Sequence, residues 1–198
     1  MELPDTIRVT IEVTRVLEEL GIPYLIGGSV ASSIHGFPRS TQDSDLVADL
    51  RPQHVLPLSA ALSPDFYIES ERVSDAIRRR ASFNLIHHRT GLKIDVFVLP
   101  DGPLARQEMA RCARISPLPG LAPIPIASPE DTVLQKLHWY RLGHGVSDRQ
   151  WNDVLGVLKV QGKRLDLEYL RKWAIHTGID DLLRQAFEDA GIDPSRLA

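Results

Sequence analysis

Asp43 and Asp45, two positions apart and preceded fourteen residues earlier by Gly27-Gly28-Ser29, are the residues of this chain whose types and spacing can do chemistry. Side chains alternate along an extended strand, so the two carboxylates point the same way, about 7 Å apart along the backbone. They repel each other unless a cation lies between them. An oxygen-only pair suits a hard ion such as Mg²⁺ or Mn²⁺ rather than zinc. The glycines end a short strand and open a helix, where free backbone N–H groups and the helix dipole attract phosphate. A phosphate cradle and a divalent-metal site are the equipment of phosphoryl or nucleotidyl transfer.

A third carboxylate belongs with them. The segment Leu92 to Leu99 reads LKIDVFVL, apolar nearly throughout, and predicts a strand in the middle of a sheet. Asp95 interrupts it, and a lone carboxylate there is costly unless it is protonated, paired or bound to a cation. Lys93 and Phe97 share its face; Ile94, Val96 and Val98 face the other way. With this strand beside Asp43 to Leu50, three carboxylates would converge and hold two metals about 4 Å apart. The bland readings are a solvated Asp-x-Asp turn and an ion pair between Asp95 and, for instance, Arg39.

The elements that must position these residues follow from periodicity and turn chemistry. Thr6 to Leu20 has helical apolar spacing and stops at Gly21. A strand at Tyr24 to Ile26 and a short helix of small residues at Ser29 to Ile34 come next, then the Asp43 to Leu50 strand. Further helices are expected over Pro52 to Leu62 and Ser74 to Arg80, with a short strand at Phe66 to Ile68. Ser82 to His87 and Leu92 to Leu99 form a hairpin around Arg89-Thr90-Gly91. After Pro100 a short helix precedes a stretch with Pro117, Pro119, Pro123 and Pro125, read as a linker or edge strand because proline cannot donate to a ladder. Ser128-Pro129-Glu130-Asp131 is a helix start with an N-cap, a first-position proline and acids in the first turn. That helix runs to Leu142, and others follow at Asp148 to Val160, Asp166 to His176 and Asp180 to Ala190. The expected division is a core over 1–100, a connector over 101–127 and a helical region over 128–198.

Composition sets outer bounds. The 198 residues are 43% apolar and 25% charged, an ordinary globular balance long enough for a real core. No apolar run approaches the roughly 20 residues of a membrane helix, and the N-terminus lacks an apolar signal core, which predicts a cytoplasmic protein without a membrane partner. Cys112 is the only cysteine, excluding an internal disulfide and a cysteine-based zinc cluster. A net charge of −3 announces no nucleic-acid surface; Arg78-Arg79-Arg80 reads as a solvated helix end.

The run Gly28-Ser29, then Arg39-x-Thr41-x-Asp43-x-Asp45, then Asp95-Val96 on a later strand, resembles the nucleotidyltransferase fold of the DNA polymerase β superfamily. Within that group it is similar to small bacterial proteins related to AbiEii-type toxins of type IV toxin–antitoxin systems. The likeness covers the first hundred residues; a looser one takes in Pro129-Glu130-Asp131, Lys136, Asp148, Arg149 and Asp153. It implies an α+β fold, with a mixed central sheet flanked by helices and a C-terminal helical bundle. It further implies that Gly28 and Ser29 hold the β- and γ-phosphates of a nucleoside triphosphate. Asp43 and Asp45 would bind both Mg²⁺ (or Mn²⁺) ions, and Asp95 would bind one and help deprotonate the attacking hydroxyl. Arg39 and Thr41 would support the site, and Lys136 would reach the triphosphate. An ion pair at i and i+4 on one helix face explains Arg149 and Asp153 without catalysis.

The resulting expectation is a Mg²⁺-dependent transfer of a nucleoside monophosphate from an NTP to an acceptor hydroxyl on tRNA, a protein or a small molecule such as an aminoglycoside. A toxin–antitoxin component with an antitoxin partner is one setting for it. The alternatives are a catalytically silent nucleotide-sensing or protein-interaction module on the same fold, and a two-metal phosphoesterase. Gly27-Gly28-Ser29 lacks the Gly-Lys-Ser/Thr ending of a P-loop, and Ser29 is not in a Gly-x-Ser-x-Gly elbow.

Overall fold

The computed structural model describes residues 5–41, 43–116 and 119–197. The chain begins with α1 (Asp5–Glu19), β1 (Tyr24–Ile26), α2 (Gly28–His35) and β2 (Asp43–Ala48). After one 3₁₀ turn come α3 (Val55–Leu62), β3 (Phe66–Tyr67), α4 (Ser70–Arg79) and the hairpin of β4 (Ser82–His87) and β5 (Lys93–Val98). Then follow α5 (Pro103–Arg111), β6 (Ala113–Ile115) and β7 (Ile124–Ile126). Four helices close the chain: α6 (Pro129–Leu142), α7 (Asp148–Gln161), α8 (Leu167–Thr177) and α9 (Asp180–Asp189). None of the described helices is long and apolar enough to cross a membrane.

The chain forms two compact units. One comprises residues 1–27 and 40–126, the other residues 28–39 and 127–198. The first holds every described strand in one mixed sheet of order β3-β4-β5-β2-β1-β7-β6. β2 runs parallel to β5 and antiparallel to β1. One face of the sheet is apolar: Leu46 and Ala48, Phe83 and Leu85, and Ile94, Val96 and Val98 are all buried. α1 lies on this face of β2, where Thr10 Oγ1 donates to Ser44 Oγ at 2.8 Å, and α3 and α4 extend the layer. The opposite face carries Asp43, Asp45, Lys93 and Asp95, as period-2 alternation requires.

The proline stretch differs from expectation. Residues 124–126 are neither a linker nor an edge but an interior strand, parallel to β1 through Ile26 and Ile126 and antiparallel to β6. Pro125 lies opposite Arg114. It is tolerated because the strand is only three residues long and its flanking isoleucines, both buried, carry the packing. Pro117 lies outside the described residues.

In the second unit α2 packs on α6 and α7, α6 on α7 and α8, and α9 on α7 and α8. Their core comprises Val133, Leu137, Val154, Val157, Leu170, Trp173 and Phe187. Ser128 caps α6 as its sequence foretells, its Oγ accepting from the Asp131 N–H at 3.0 Å. Asp131 is buried and accepts from the Tyr169 hydroxyl at 2.6 Å, tying α6 to α8. α2 approaches α7 through glycine: a Cβ on Gly36 would lie 2.8 Å from the Val157 backbone nitrogen.

Candidate functional site

The predicted residues fall into two sets, one in each unit. In the sheet, Asp45 and Asp95 are direct register partners on the parallel strands β2 and β5, and Asp43 is paired in the same way with Lys93. Neighbouring strands lie about 4.8 Å apart, so the carboxylates of Asp45 and Asp95 start side by side. Asn84 of β4 continues that row on the other side of Asp95. The backbone fixes the arrangement, since the Gly27 N–H donates to Asp45 O at 2.9 Å. Thr41 anchors the strand's start: its hydroxyl donates to Asp43 O at 2.9 Å, and its own carbonyl accepts from the Thr6 hydroxyl at 3.1 Å. Thr41 therefore works here as a backbone brace.

Lys93 is a cation among these carboxylates. Its Nζ stands 2.8 Å from Asp95 Oδ2, with side chains 41% and 18% exposed. The hydrogen bond to Asp95 raises the lysine's pKa above its ordinary value against some loss of hydration, and the charges of Asp95, Asp43 and Asp45 add to the rise. Among the described residues no group of three or more His, Cys, Asp or Glu is already spaced to hold a metal ion. The donor chemistry nevertheless fits a hard divalent ion: all-oxygen ligands, two of them on adjacent strands in register, and an ammonium drawn to the same carboxylates. Asp95 has Lys93, two residues before it, as its ion-pair partner, a signal that was present in the alternation of the strand.

The second set is drawn together by a residue given no firm role by the sequence. Asp153 of α7 accepts from Arg39 Nε at 2.8 Å, from Arg39 Nη2 at 2.8 Å and from Lys136 Nζ at 2.7 Å. The expected i, i+4 pair with Arg149 gives way to this arrangement, because Asp153 is on the buried face of α7. Arg39 Nη2 also donates to Ser29 Oγ at 2.7 Å. Burial pushes the Asp153 carboxyl up, but the hydrogen bonds from Arg39 and Lys136 outweigh it and hold the group below its ordinary value. Ser29, Arg39, Lys136 and Asp153 thus form one charged network between α2, its following turn, α6 and α7.

Gly28 opens α2 with φ +53°. That left-handed backbone is strained for any residue with a Cβ, which accounts for glycine at this turn. The free N–H groups of the first turn of α2 begin here, next to the Ser29 hydroxyl. What this set offers chemically is anion binding: helix N–H groups, a hydroxyl and two cations.

No family model and no curated protein matches the chain. Solved structures do share its fold. An antigenic nucleotidyltransferase-like protein from Paracoccidioides brasiliensis aligns over 94% of this chain and 92% of its own, at 16% identity and a TM-score of 0.59. The antibiotic-resistance factor ANT(2'')-Ia in solution aligns over 93% and 100%, at 16% identity and a TM-score of 0.56. ANT(2'')-Ia in complex with adenylyl-2''-tobramycin aligns over 81% and 92%, at 12% identity and a TM-score of 0.55. The chain has the nucleotidyltransferase fold, an α+β arrangement of a mixed sheet with helices and a C-terminal helical region.

Proposed function

We propose that this protein is a nucleotidyltransferase that moves a nucleoside monophosphate from an NTP to an acceptor hydroxyl, with pyrophosphate leaving. The observation that supports it most is the register of β2 and β5, with Asp45 opposite Asp95 and Asp43 on the same face. A divalent ion, Mg²⁺ or Mn²⁺, would be held by Asp43, Asp45 and Asp95 and would supply Lewis-acid polarisation of the α-phosphate. Asp95, the register partner of Asp45 on β5, would accept the proton of the attacking hydroxyl. The backbone N–H groups at Gly28 and Ser29 hold non-bridging phosphate oxygens. Arg39 and Lys136 balance the triphosphate charge, with Asp153 fixing the direction of both. Thr41 holds the start of β2 and with it Asp43.

The acceptor is a hydroxyl of a small molecule, tRNA or protein. The fold shared with a protein solved bearing adenylyl-2''-tobramycin makes aminoglycosides the first class to assay. The test is incubation with each α-labelled NTP and Mg²⁺, in the presence of aminoglycosides, tRNA or cell extract, followed by identification of the labelled species. Asp43→Asn/Asp45→Asn is expected to abolish labelling while leaving the fold intact, because the substitutions keep the side-chain shape and relieve the repulsion between the carboxylates. Label on tRNA would favour a toxin held in check by a partner antitoxin. Labelling retained in the double variant refutes the mechanism.

A further inference from the structure

We propose that Lys93 is an internal counter-ion that competes with the divalent cation for Asp95, so that metal enters the carboxylate row by displacing an ammonium. The proposal rests on the metal-dependent reading above. β5 places Lys93 and Asp95 on one face, two residues apart, and β2 sets Asp43 opposite the first and Asp45 opposite the second. Lys93 thus shares a patch of sheet with three carboxylates of like charge, and its ammonium touches Asp95 at 2.8 Å.

The two cations exclude each other there. A lysine ammonium bonds an oxygen at hydrogen-bond distance, whereas Mg²⁺ needs the oxygen at about 2.0–2.1 Å and tolerates no positive neighbour on the same lone pairs. Lys93 is well suited to leave: its side chain is 41% exposed, and its flexible stem can turn the ammonium into water without disturbing β5. In the metal-free protein the lysine offsets part of the negative charge of the row through its contact with Asp95. In the loaded protein it stands nearby as a charge that weakens the site. Lys93 therefore sets how much free metal the protein needs.

The test is a titration of the whole protein with Mn²⁺ alone, without nucleotide, reading free Mn²⁺ by electron paramagnetic resonance. A unit charge about 5 Å from a divalent ion in water-like screening changes its affinity about tenfold. Lys93→Gln is therefore expected to lower the Kd for Mn²⁺ about tenfold, and Lys93→Arg, which keeps the charge, to leave it near the wild-type value. An unchanged or raised Kd in Lys93→Gln overturns the competition while leaving the metal site standing. Equal tightening by Gln and Arg also overturns it, since charge would not be the cause. Failure of wild type and Lys93→Gln alike to bind Mn²⁺ overturns both this proposal and the metal-dependent reading beneath it.

Discussion

Asp153→Asn is the substitution with the most to reveal about the helical unit. The carboxylate accepts two hydrogen bonds from Arg39 and one from Lys136, at 2.7–2.8 Å. Asparagine keeps the shape but removes the charge and one acceptor. Lys136 is then a cation with a side chain only 7% exposed, deprived of its anion, whereas Arg39 is 27% exposed and regains some water. Breaking a buried ion pair costs about 3–5 kcal/mol. The exposure of Arg39 places this case at the low end, about 3 kcal/mol, since the arginine's share is partly made good by solvent. For a chain of 198 residues that corresponds to a fall in Tm of about 6–12 °C. The assay is thermal unfolding of wild type, Asp153→Asn, Lys136→Met and the double variant. In the Lys136→Met background the cost of Asp153→Asn is expected to drop to about half, because the stranded ammonium is no longer there. A loss under about 1 kcal/mol, or strict additivity of the two substitutions, refutes the view that Asp153 organises these cations.

Gly36→Ala should destabilise by about 1–3 kcal/mol, because its Cβ would lie 2.8–2.9 Å from backbone atoms of Val157, Gly156 and Ser32; a Tm within 1 °C of wild type contradicts the close crossing of α2 and α7. His35 is buried, which lowers its pKa, and its Nε2 donates to Ala127 O at 2.7 Å. The unfolded chain therefore takes up this proton more readily than the folded one, so stability is full above about pH 6.5 and declines as pH falls toward the depressed folded value. His35→Gln should flatten the Tm-against-pH slope between about pH 7 and 5, and an unaltered slope would show that another group carries it.

The local chemistry of this chain was legible from its residues. Tyr24 to Ile26 and Ser82 to His87 are strands with the bounds their sequences predict, the first a short apolar run between turn residues and the second an alternating one. Ser128-Pro129-Glu130-Asp131 gave the start of α6, because a cap is a short-range event. Asp43 and Asp45 announced themselves by spacing, and Asp95 by being a carboxylate in an apolar strand. β6 and β7 were harder to read. Each is three residues long, and what makes Ile124–Ile126 an interior strand is its partners, β1 and β6, a hundred and about ten residues away.

Sequence by itself determined which residues can bind phosphate or a hard cation, and on which face of a strand or turn of a helix each sits, because those properties depend on neighbours within a few positions. Tertiary structure alone decided the pairings. It set Asp45 opposite Asp95, and brought Arg39 and Lys136 to Asp153 across 114 and 17 residues of chain. A buried charge must find an opposite charge or a cation wherever the fold supplies one, and strand register and helix packing choose the partner, not separation along the sequence.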